Sequence, residues 1–186
     1  QEASLLASRT VRATMDDRAA AFTALLERGL DAHYRLASAI LGDSIEAEDA
    51  VHDAALVAWR GFAGLRDRDR FDAWFGRILV NGCRDRLRAR RRRPVVEPLG
   101  DADLRAGAST GEDRAATFAR RDELERAVAA LDPDHAVVVA LRYYADLTVP
   151  QIAARLGIAE GTVKSRLHHA MRRLRTAVGE PEEGQG

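Results

Sequence analysis

The sequence lacks most of what stabilises small secreted or metal-bound proteins: among 186 residues there is one cysteine, and aromatic residues make up only 5%. Cys83 cannot form a disulfide within the chain, and no spacing of histidine and cysteine matches a zinc site. No apolar run approaches the roughly 18 residues that span a bilayer, and the N-terminus lacks the apolar core of a signal peptide. We therefore expect a cytoplasmic protein that does not insert into membranes.

Motifs of catalysis are also absent from the sequence. It contains no phosphate-binding glycine loop, no HExxH pattern and no nucleophile motif. His33, His52 and His135 are isolated on predicted helices, and the adjacent His168 and His169 would point about 100° apart on a helix, which makes them poor joint ligands. We predict no catalytic residue, no metal site and no cofactor, and hence a protein that is not an enzyme.

What the chain does contain is alanine, leucine, valine and arginine. Hydrophobic residues make up 46% of it, and with few aromatics the expected core lies between helices, so we predict an all-α fold. The formal net charge is zero, but the charges are unevenly distributed, and local patches decide nucleic-acid binding more than the sum does. Of the 29 basic residues all but Lys164 are arginine, a bias that a GC-rich genome can also produce.

Apolar residues recur at helical spacing through the first half of the chain. We predict over residues 17–41 either one helix or two helices that meet near Gly29. A helix from Ile45 to Phe62 capped by Asp43, a loop over 61–70 and a helix from Phe71 to Arg91 are predicted to follow. Trp74, Phe75 and Cys83 lie on the apolar stripe of the last helix and are assigned to the core. These elements form a domain over residues 17–93, preceded by a flexible arm over 1–16.

Two charged stretches of this domain are candidate binding surfaces. Between Arg35 and Arg60 there is no lysine or arginine but five acids, Asp43, Glu46, Glu48, Asp49 and Asp53. They either bind a basic protein surface or merely favour the positive end of the helix dipole. Residues 84–93 hold seven arginines against one aspartate. That run is either a footprint for phosphates or a solvated helix end.

The second half begins with a change of composition. Residues 94–117 are rich in proline, glycine and acids without periodicity, which predicts a flexible linker. Helical periodicity returns at Phe118, and Asp132 before Pro133 predicts an N-cap and a first-turn proline for a helix with Val137, Val138, Leu141 and Tyr144 facing inward. We predict a second helical domain over 118–178 and an acidic tail over 179–186.

Residues 148–175 have the pattern of a helix-turn-helix. Thr148 and Gln151 form a capping box, Pro150 is tolerated in the first turn, and Gly157 permits the tight turn. Apolar residues then hold the second helix across the first, namely Ile152, Ala153, Leu156, Ile158, Val163 and Leu167.

The other side of that second helix is polar and basic. Its exposed residues are predicted to be Thr162, Lys164, Ser165, Arg166, His168, His169 and Arg172. Short polar groups at a helix start can read base edges in a major groove while arginines hold phosphates. The alternative is an amphipathic surface helix that only packs, but the cap, the turn glycine and the apolar spacing together favour DNA binding.

Taken together, the chain resembles a bacterial sigma factor of the extracytoplasmic-function (ECF) group, a small type with only the second and fourth conserved sigma domains. The resemblance rests on the order and spacing of several segments: Tyr34–Ala37, Ile40–Asp43, Ala47–Ala54, Trp59–Arg60, Phe71–Ile78, Asn81, Asp85–Arg88, Leu131–Arg142 and Gly161–His168. It covers most of residues 18–178. The resemblance implies two small helical domains on a flexible linker, bacterial core RNA polymerase and promoter DNA as partners, and an anti-sigma factor that holds the protein inactive.

The resemblance also implies roles for residues. Core polymerase would be bound by Glu46, Glu48, Asp49 and Asp53. The minus-10 element would be recognised and opened by Arg66, Arg68, Arg70, Phe71, Asn81, Arg84 and Arg88, with a base extruded from the stack. The minus-35 element would be read by Lys164, Ser165, His168 and His169, with Thr162, Arg166 and Arg172 nearer the backbone. At His169 the family more often has an arginine.

Two other functions are compatible with the same residues. An autonomous helix-turn-helix regulator would bind duplex DNA tightly without polymerase. A helical adaptor would dock proteins through its acidic and arginine faces and would show no salt-dependent affinity for DNA.

Overall fold

A computed structural model of the chain describes residues 2–92, 123–124 and 126–179, with side chains from residue 15 onward. All regular elements of this part are helical. The α-helices are α1 (Glu2–Leu41), α2 (Ser44–Gly61), α3 (Phe71–Arg92), α4 (Pro133–Tyr143), α5 (Val149–Leu156) and α6 (Glu160–Ala177). Two single 3₁₀ turns, Phe62–Gly64 and Arg68–Arg70, occupy the predicted loop. The predicted linker and the acidic tail beyond Gly179 lie outside the described residues, as do residues 118–122 of the next predicted helix.

The first helix is the single-helix alternative of the prediction, but it begins earlier than expected. It begins at Glu2 instead of Asp17, and it continues through Gly29 without a break. Gly29 serves close packing instead, because a Cβ there would lie 2.7 Å from Cε1 of His33 and 3.0 Å from Oδ1 of Asp72. The helix ends where predicted, at Gly42 with φ of 70°, and the Asp43 carboxylate accepts the Glu46 N–H at 2.8 Å to start α2.

Aromatic rings fill the core between α1, α2 and α3. Phe22 meets Trp59, Phe62 and Phe71 edge to face, with ring centroids 5.0 to 5.7 Å apart. Phe71 stacks on Phe75 at 5.8 Å. Such edge-to-face contacts favour one arrangement of the rings beyond the general gain from burial. The few aromatics of the chain are therefore concentrated in the first domain, where they fix the position of α3.

The helix-turn-helix has the predicted construction. The Thr148 N–H donates to Oε1 of Gln151 at 2.8 Å, and Gly157 adopts a left-handed conformation with φ of 66°. Ile152 and Val163 are fully buried where α5 and α6 cross. The expectation that Tyr144 faces inward was wrong: it is 72% exposed, because α4 ends at Tyr143 and the chain turns away from the core.

The two predicted domains pack against each other, which no sequence pattern indicated. Gly76 and Val80 of α3 are buried, although they lie off the apolar stripe that faces α1 and α2. A Cβ at Gly76 would lie 2.6 Å from Nη1 of Arg155 on α5. Leu87 of α3 packs against the small core of the second domain, around Leu131, Ala136, Val139, Ala170 and Leu174. A second face of α3 therefore carries the helix-turn-helix domain.

His33 is buried where α1, α3 and α5 meet. Its ring lies 4.6 Å from that of Phe75. Burial lowers its pKa below 6.5, the nearby Asp72 carboxylate opposes this, and Arg155 adds to the lowering. Protonation of His33 is therefore less favourable in the folded chain than in the unfolded one, because the buried ring lacks the hydration that an imidazolium needs.

We expect this burial to make stability depend on pH. Because the pKa of His33 is lower folded than unfolded, the unfolded chain binds the proton more tightly, and the free energy of unfolding should fall as pH drops below about 6.5. Urea denaturation at pH 7.5 and 5.5 measures the change. His33→Gln should reduce the loss on acidification, whereas His52→Gln, on the exposed face of α2, should leave it unchanged. An unaltered loss in the His33 variant would contradict the account.

Cys83 is a core residue, as predicted. Its side chain is fully buried, and burial raises the pKa of its thiol to about 12. We expect a thiol reagent such as dithionitrobenzoate to modify the native protein at pH 8 at least about tenfold more slowly than the urea-unfolded protein, because the reactive thiolate is almost absent. Equal rates in the two states would contradict this placement.

Candidate nucleic-acid and protein interfaces

The outer side of α6 presents most of the residues predicted to read DNA. Lys164, Ser165, His168, His169 and Arg172 are exposed, and Thr162 is half-buried. The inner side is held by Val163, Ala170 and Leu174, which are buried. This division follows the spacing of apolar residues, because residues three and four apart share one side of a helix. One face of α6 is thus fixed to the domain while the other is free to enter a groove.

Local contacts order the start of α6. The Ser165 hydroxyl donates to the Thr162 carbonyl at 3.1 Å, which leaves its lone pairs for another donor. The rings of His168 and His169 meet at 5.7 Å, and His135 lies 6.2 Å from His169. Burial lowers the pKa of His135, while Asp132 opposes the shift. No cluster of histidine, cysteine or acid residues suited to a metal ion occurs in the described part of the chain.

Arg166 differs from its neighbours on α6. Its Nη2 donates to Oδ2 of Asp134, on α4, at 3.0 Å, and the side chain is mostly covered. The helix-turn-helix is thereby tied to the helix before it. In this conformation Arg166 positions α6 and does not extend toward solvent with Lys164.

The arginine run of α3 divides between two sides of the helix. Arg86 and Arg90, four residues apart, pair with Asp53 and Glu46 of α2. Arg90 also donates to the Leu41 carbonyl at the end of α1 at 3.3 Å, where the helix dipole favours a cation. This side of the run holds the first domain together.

The opposite side of the run faces the second domain. Arg88 donates to Oδ1 of Asp134 at 3.1 Å, and Arg84 lies 3.9 Å from the same oxygen. Arg91 pairs with Asp132 and donates to the Ala130 carbonyl at 3.0 Å. The spacing of 84, 88 and 91 places these three on one side of a helix. The sequence suggested either a phosphate footprint or a solvated helix end for this run. Neither interpretation included contacts with the second domain.

The remaining residues predicted for the minus-10 element have different surroundings. Arg66, Arg68 and Arg70 are exposed on the turns before α3, and Asn81 is half-buried on its surface. The guanidinium of Arg68 lies 3.6 Å above the ring of Phe62, a cation–π contact that supports the turn. Phe71 is 1% exposed in the aromatic core. Its predicted contact with DNA is therefore withdrawn, since moving it out would open that core.

The acidic side of α2 is only partly engaged within the chain. Glu46 and Asp53 pair with arginines of α3, whereas Glu48 and Asp49 are exposed and make no ion pair with a described residue. Beside them lie two large exposed apolar side chains, Leu56 at 45% and Val57 at 50%. Positions 49, 53, 56 and 57 share one side of the helix.

A groove of about 330 Å³ runs beside this side of α2. Its walls come from α2 and α3, including Ala50, Ala54, Val57, Ile78 and Gly82. The groove is mostly apolar with charged edges at Asp53, Asp85 and Arg86. A helix with apolar residues flanked by basic ones complements such a surface. The structure thus favours a protein partner for α2 over the explanation by helix dipole alone.

In the described part of the chain no helix is both long enough and apolar enough to cross a membrane.

Comparison with known families gives two matches in the order of the predicted domains. The family described as Sigma-70 region 2 matches residues 25–93, and Sigma-70, region 4 matches residues 121–174. Both ranges fall within the predicted domains at 17–93 and 118–178.

Several curated proteins are similar along nearly the whole chain. The ECF RNA polymerase sigma factor SigL of Mycobacterium tuberculosis is 36% identical over 173 residues, which cover 90% of this chain and 97% of SigL. The RNA polymerase sigma-E factor of Streptomyces antibioticus is 32% identical over 155 residues, 83% of this chain and 82% of that protein.

Two solved structures share the fold. The sigma factor RpoE in complex with the anti-sigma factor NepR from Bartonella quintana has a TM-score of 0.62 at 23% identity, over 85% of this chain and 96% of that one. CnrH in complex with the cytosolic domain of CnrY has a TM-score of 0.58 at 24% identity, over 85% and 87%.

Proposed function

The chain belongs to the ECF group of sigma-70 family RNA polymerase sigma factors, and we propose that it binds core RNA polymerase, directs it to specific promoters and helps to melt them. The observation that carries this proposal is the pair of family matches in order along one chain. The 36% identity across 97% of a named ECF sigma factor supports it.

We assign minus-35 recognition to the outer side of α6. Lys164, Ser165 and His168 are exposed in its first half, the part of a recognition helix that contacts base edges in the major groove. His169 borders this set, Thr162 and Arg172 flank it, and Arg166 supports it through α4. Lysine and histidine donors suit the acceptor atoms of guanine, so a site containing guanine is the natural target.

We assign minus-10 recognition to the turns before α3 and to the surface of that helix. Arg66, Arg68 and Arg70 are exposed there, and arginines can both hold phosphates and stack on unpaired bases. Asn81 offers an amide that can hydrogen-bond to a base edge. Arg84 and Arg88 complete the set when they are released from Asp134.

We assign polymerase binding to the acidic and apolar side of α2. Glu48 and Asp49 supply charge, and Leu56 and Val57 supply apolar area beside the groove. Exposed charges raise the association rate and orient the partner, while apolar contacts at the centre supply more of the affinity. Glu46 and Asp53 border this surface and also pair with α3.

We further propose that the chain performs no covalent chemistry, since polymerase supplies catalysis, and that it works in the cytoplasm with its polymerase. An anti-sigma factor is proposed as a second protein partner, because RpoE of Bartonella quintana, a protein of the same fold, was solved in complex with one. The autonomous regulator and the adaptor are not favoured, because neither accounts for both family matches in one chain.

Run-off transcription tests the proposal. Purified bacterial core polymerase is given sheared genomic DNA from a GC-rich bacterium, with and without this protein, and transcript starts are mapped by sequencing. New starts that appear only with the protein and share two upstream motifs at fixed distances are expected. The absence of new starts, with tight binding of duplex DNA by the protein alone, would favour the autonomous regulator.

Removing two α6 side chains should impair promoter choice alone. Lys164→Ala with His168→Ala deletes donors aimed at bases, so preference for the mapped minus-35 motif over a scrambled one should fall at least about tenfold. Competition transcription measures this preference, and co-purification measures polymerase binding, which should persist. Arg175→Ala, an exposed charge at the far end of α6, is the matched control and should weaken all promoters equally if it acts at all.

Reversing a charge on α2 should instead weaken the binding of core polymerase. Asp49→Arg places a cation where a basic partner is expected, and affinity for core polymerase should fall at least about tenfold through repulsion at the interface. Fluorescence titration with labelled polymerase measures it. Glu27→Arg, an equal reversal at an exposed site on α1, should change affinity less than twofold. Equal losses in both variants would remove α2 from the interface.

A further inference from the structure

Five arginines from two parts of the chain converge on two carboxylates at the start of α4. Asp134 is contacted by Arg84 and Arg88 of α3 and by Arg166 of α6. Asp132 is contacted by Arg91 of α3 and by Arg173 of α6, the latter at 3.1 Å. The two acids thus join the basic side of α3 to the basic side of α6.

At Asp132 the pairing with arginines takes the place of a helix-capping hydrogen bond. Asp132 is the N-cap residue of α4, but its side chain makes no capping hydrogen bond. An N-cap aspartate usually accepts a backbone N–H of the first turn. Here its carboxylate accepts from arginines of α3 and α6 instead. The acid therefore contributes to the contact between domains at the expense of local helix stability.

If the chain has the proposed function, these contacts between the two domains cannot persist on a promoter. Arg88 and Arg166 both lie within 3.1 Å of one carboxylate. The minus-10 and minus-35 elements lie about 25 base pairs apart, or about 85 Å along duplex DNA at 3.4 Å per base pair. Residues 94–117 can extend over about 80 Å at most, which allows the two domains to separate to that extent.

We propose that Asp132 and Asp134 form an autoinhibitory latch, whose carboxylates occupy the basic side of α3, including Arg84 and Arg88 of the proposed minus-10 surface, and hold it against the second domain. In the latched state α3 and α6 are held together and neither presents its full basic surface. Separation of the domains frees Arg84, Arg88 and Arg91 of α3, whereas Arg166 and Arg173 keep partners within their own domain until a polyanion competes for them. The latch therefore couples binding of the minus-10 element to separation of the domains, since α3 cannot present Arg84 and Arg88 while both pair with Asp134.

The charges are balanced so that DNA can release the latch. Five guanidinium groups surround two carboxylates, so positive charge remains in excess even in the latched state. Duplex DNA carries one negative charge per about 1.7 Å of its axis and can supply a partner for each arginine. The arginine side chains are about a quarter to three fifths exposed, so each pair alone is weak and screened by salt. The set opens when a polyanion or a partner protein competes for it.

A second contact allows the latch to be opened without changing any charge. Gly76 of α3 leaves the space that the guanidinium of Arg155 occupies, and Val80, one turn on, is fully buried. A leucine at position 76 would occupy that space and separate α5 from α3. It should not weaken α3 itself, because leucine is a better helix former than glycine.

Three variants of the full chain separate opening from a simple change of charge. Asp132→Asn with Asp134→Asn removes the latch carboxylates. Gly76→Leu opens the interface with all charges retained. Asp146→Asn removes an acid that is fully exposed and that, among the described residues, pairs with Arg142 of its own domain. Asparagine also tolerates the positive φ of 49° there. Circular dichroism checks that each variant is folded.

Small-angle scattering measures opening, and fluorescence anisotropy with a labelled 30-base-pair GC-rich duplex measures phosphate-driven affinity at about 50 mM salt. The double asparagine variant and Gly76→Leu should both show a larger radius of gyration and bind the duplex about tenfold more tightly. A tenfold gain corresponds to a wild-type chain that is open about one tenth of the time. Asp146→Asn should match the wild type in both measurements.

Each contrary result has a distinct meaning. If neither variant expands, the carboxylates and the Gly76 contact do not hold the domains together, and the latch is wrong. If both expand without a gain in affinity, the arginines were never occluded. If Asp146→Asn gains as much as the double variant, net charge explains the effect. If the variants expand and bind DNA more tightly as expected, but the wild-type protein directs no transcription with core polymerase, the proposed function is refuted and the latch stands.

Discussion

The carboxylates of Asp132 and Asp134 at the start of α4 determine how the described parts of the chain are arranged. They accept from arginines that approach from α3 on one side and from α6 on the other. Without them, two strongly basic helices would face each other across a short distance and repel. Val80 and Leu87 add apolar burial between the domains, and the acid pair makes this orientation of the two basic surfaces possible.

The same principle explains why a chain of zero formal net charge can bind an acidic polymer. Its arginines fall on separate sides of α3 by helical spacing. Those at 86 and 90 neutralise acids of α2 and fix the first domain, whereas those at 84, 88 and 91 meet the acids of α4. Only the second group can be released, because its partners lie on a different domain. Structural and functional arginines are thus one or two residues apart in sequence.

The sequence was most informative where local rules decide the structure. The Asp43 cap, the Thr148–Gln151 box and the left-handed Gly157 follow from residue type alone, and they fix the bounds of α2, α5 and α6. It failed where distant parts of the chain meet. In the sequence, Gly29 indicated a possible helix break and Gly76 indicated nothing. In the structure, Gly29 makes room for Asp72 of α3, and Gly76 makes room for Arg155 of α5. The destination of Arg88 and Arg166 depends on a partner more than 30 residues away along the chain, which no periodicity encodes. Phe71 began a predicted DNA-binding helix, yet its neighbours in space are rings.

The central claim is that the arginines that hold the two domains together are those that DNA later engages. The most direct measurement is the distance between spin labels at Ala24→Cys on α1 and Arg175→Cys on α6, with the buried Cys83 left unlabelled. Pulsed electron resonance on the free chain should give one short distance. Adding core polymerase and a mapped promoter should replace it with a distance longer by tens of ångströms. An unchanged distance in an active promoter complex would contradict the account.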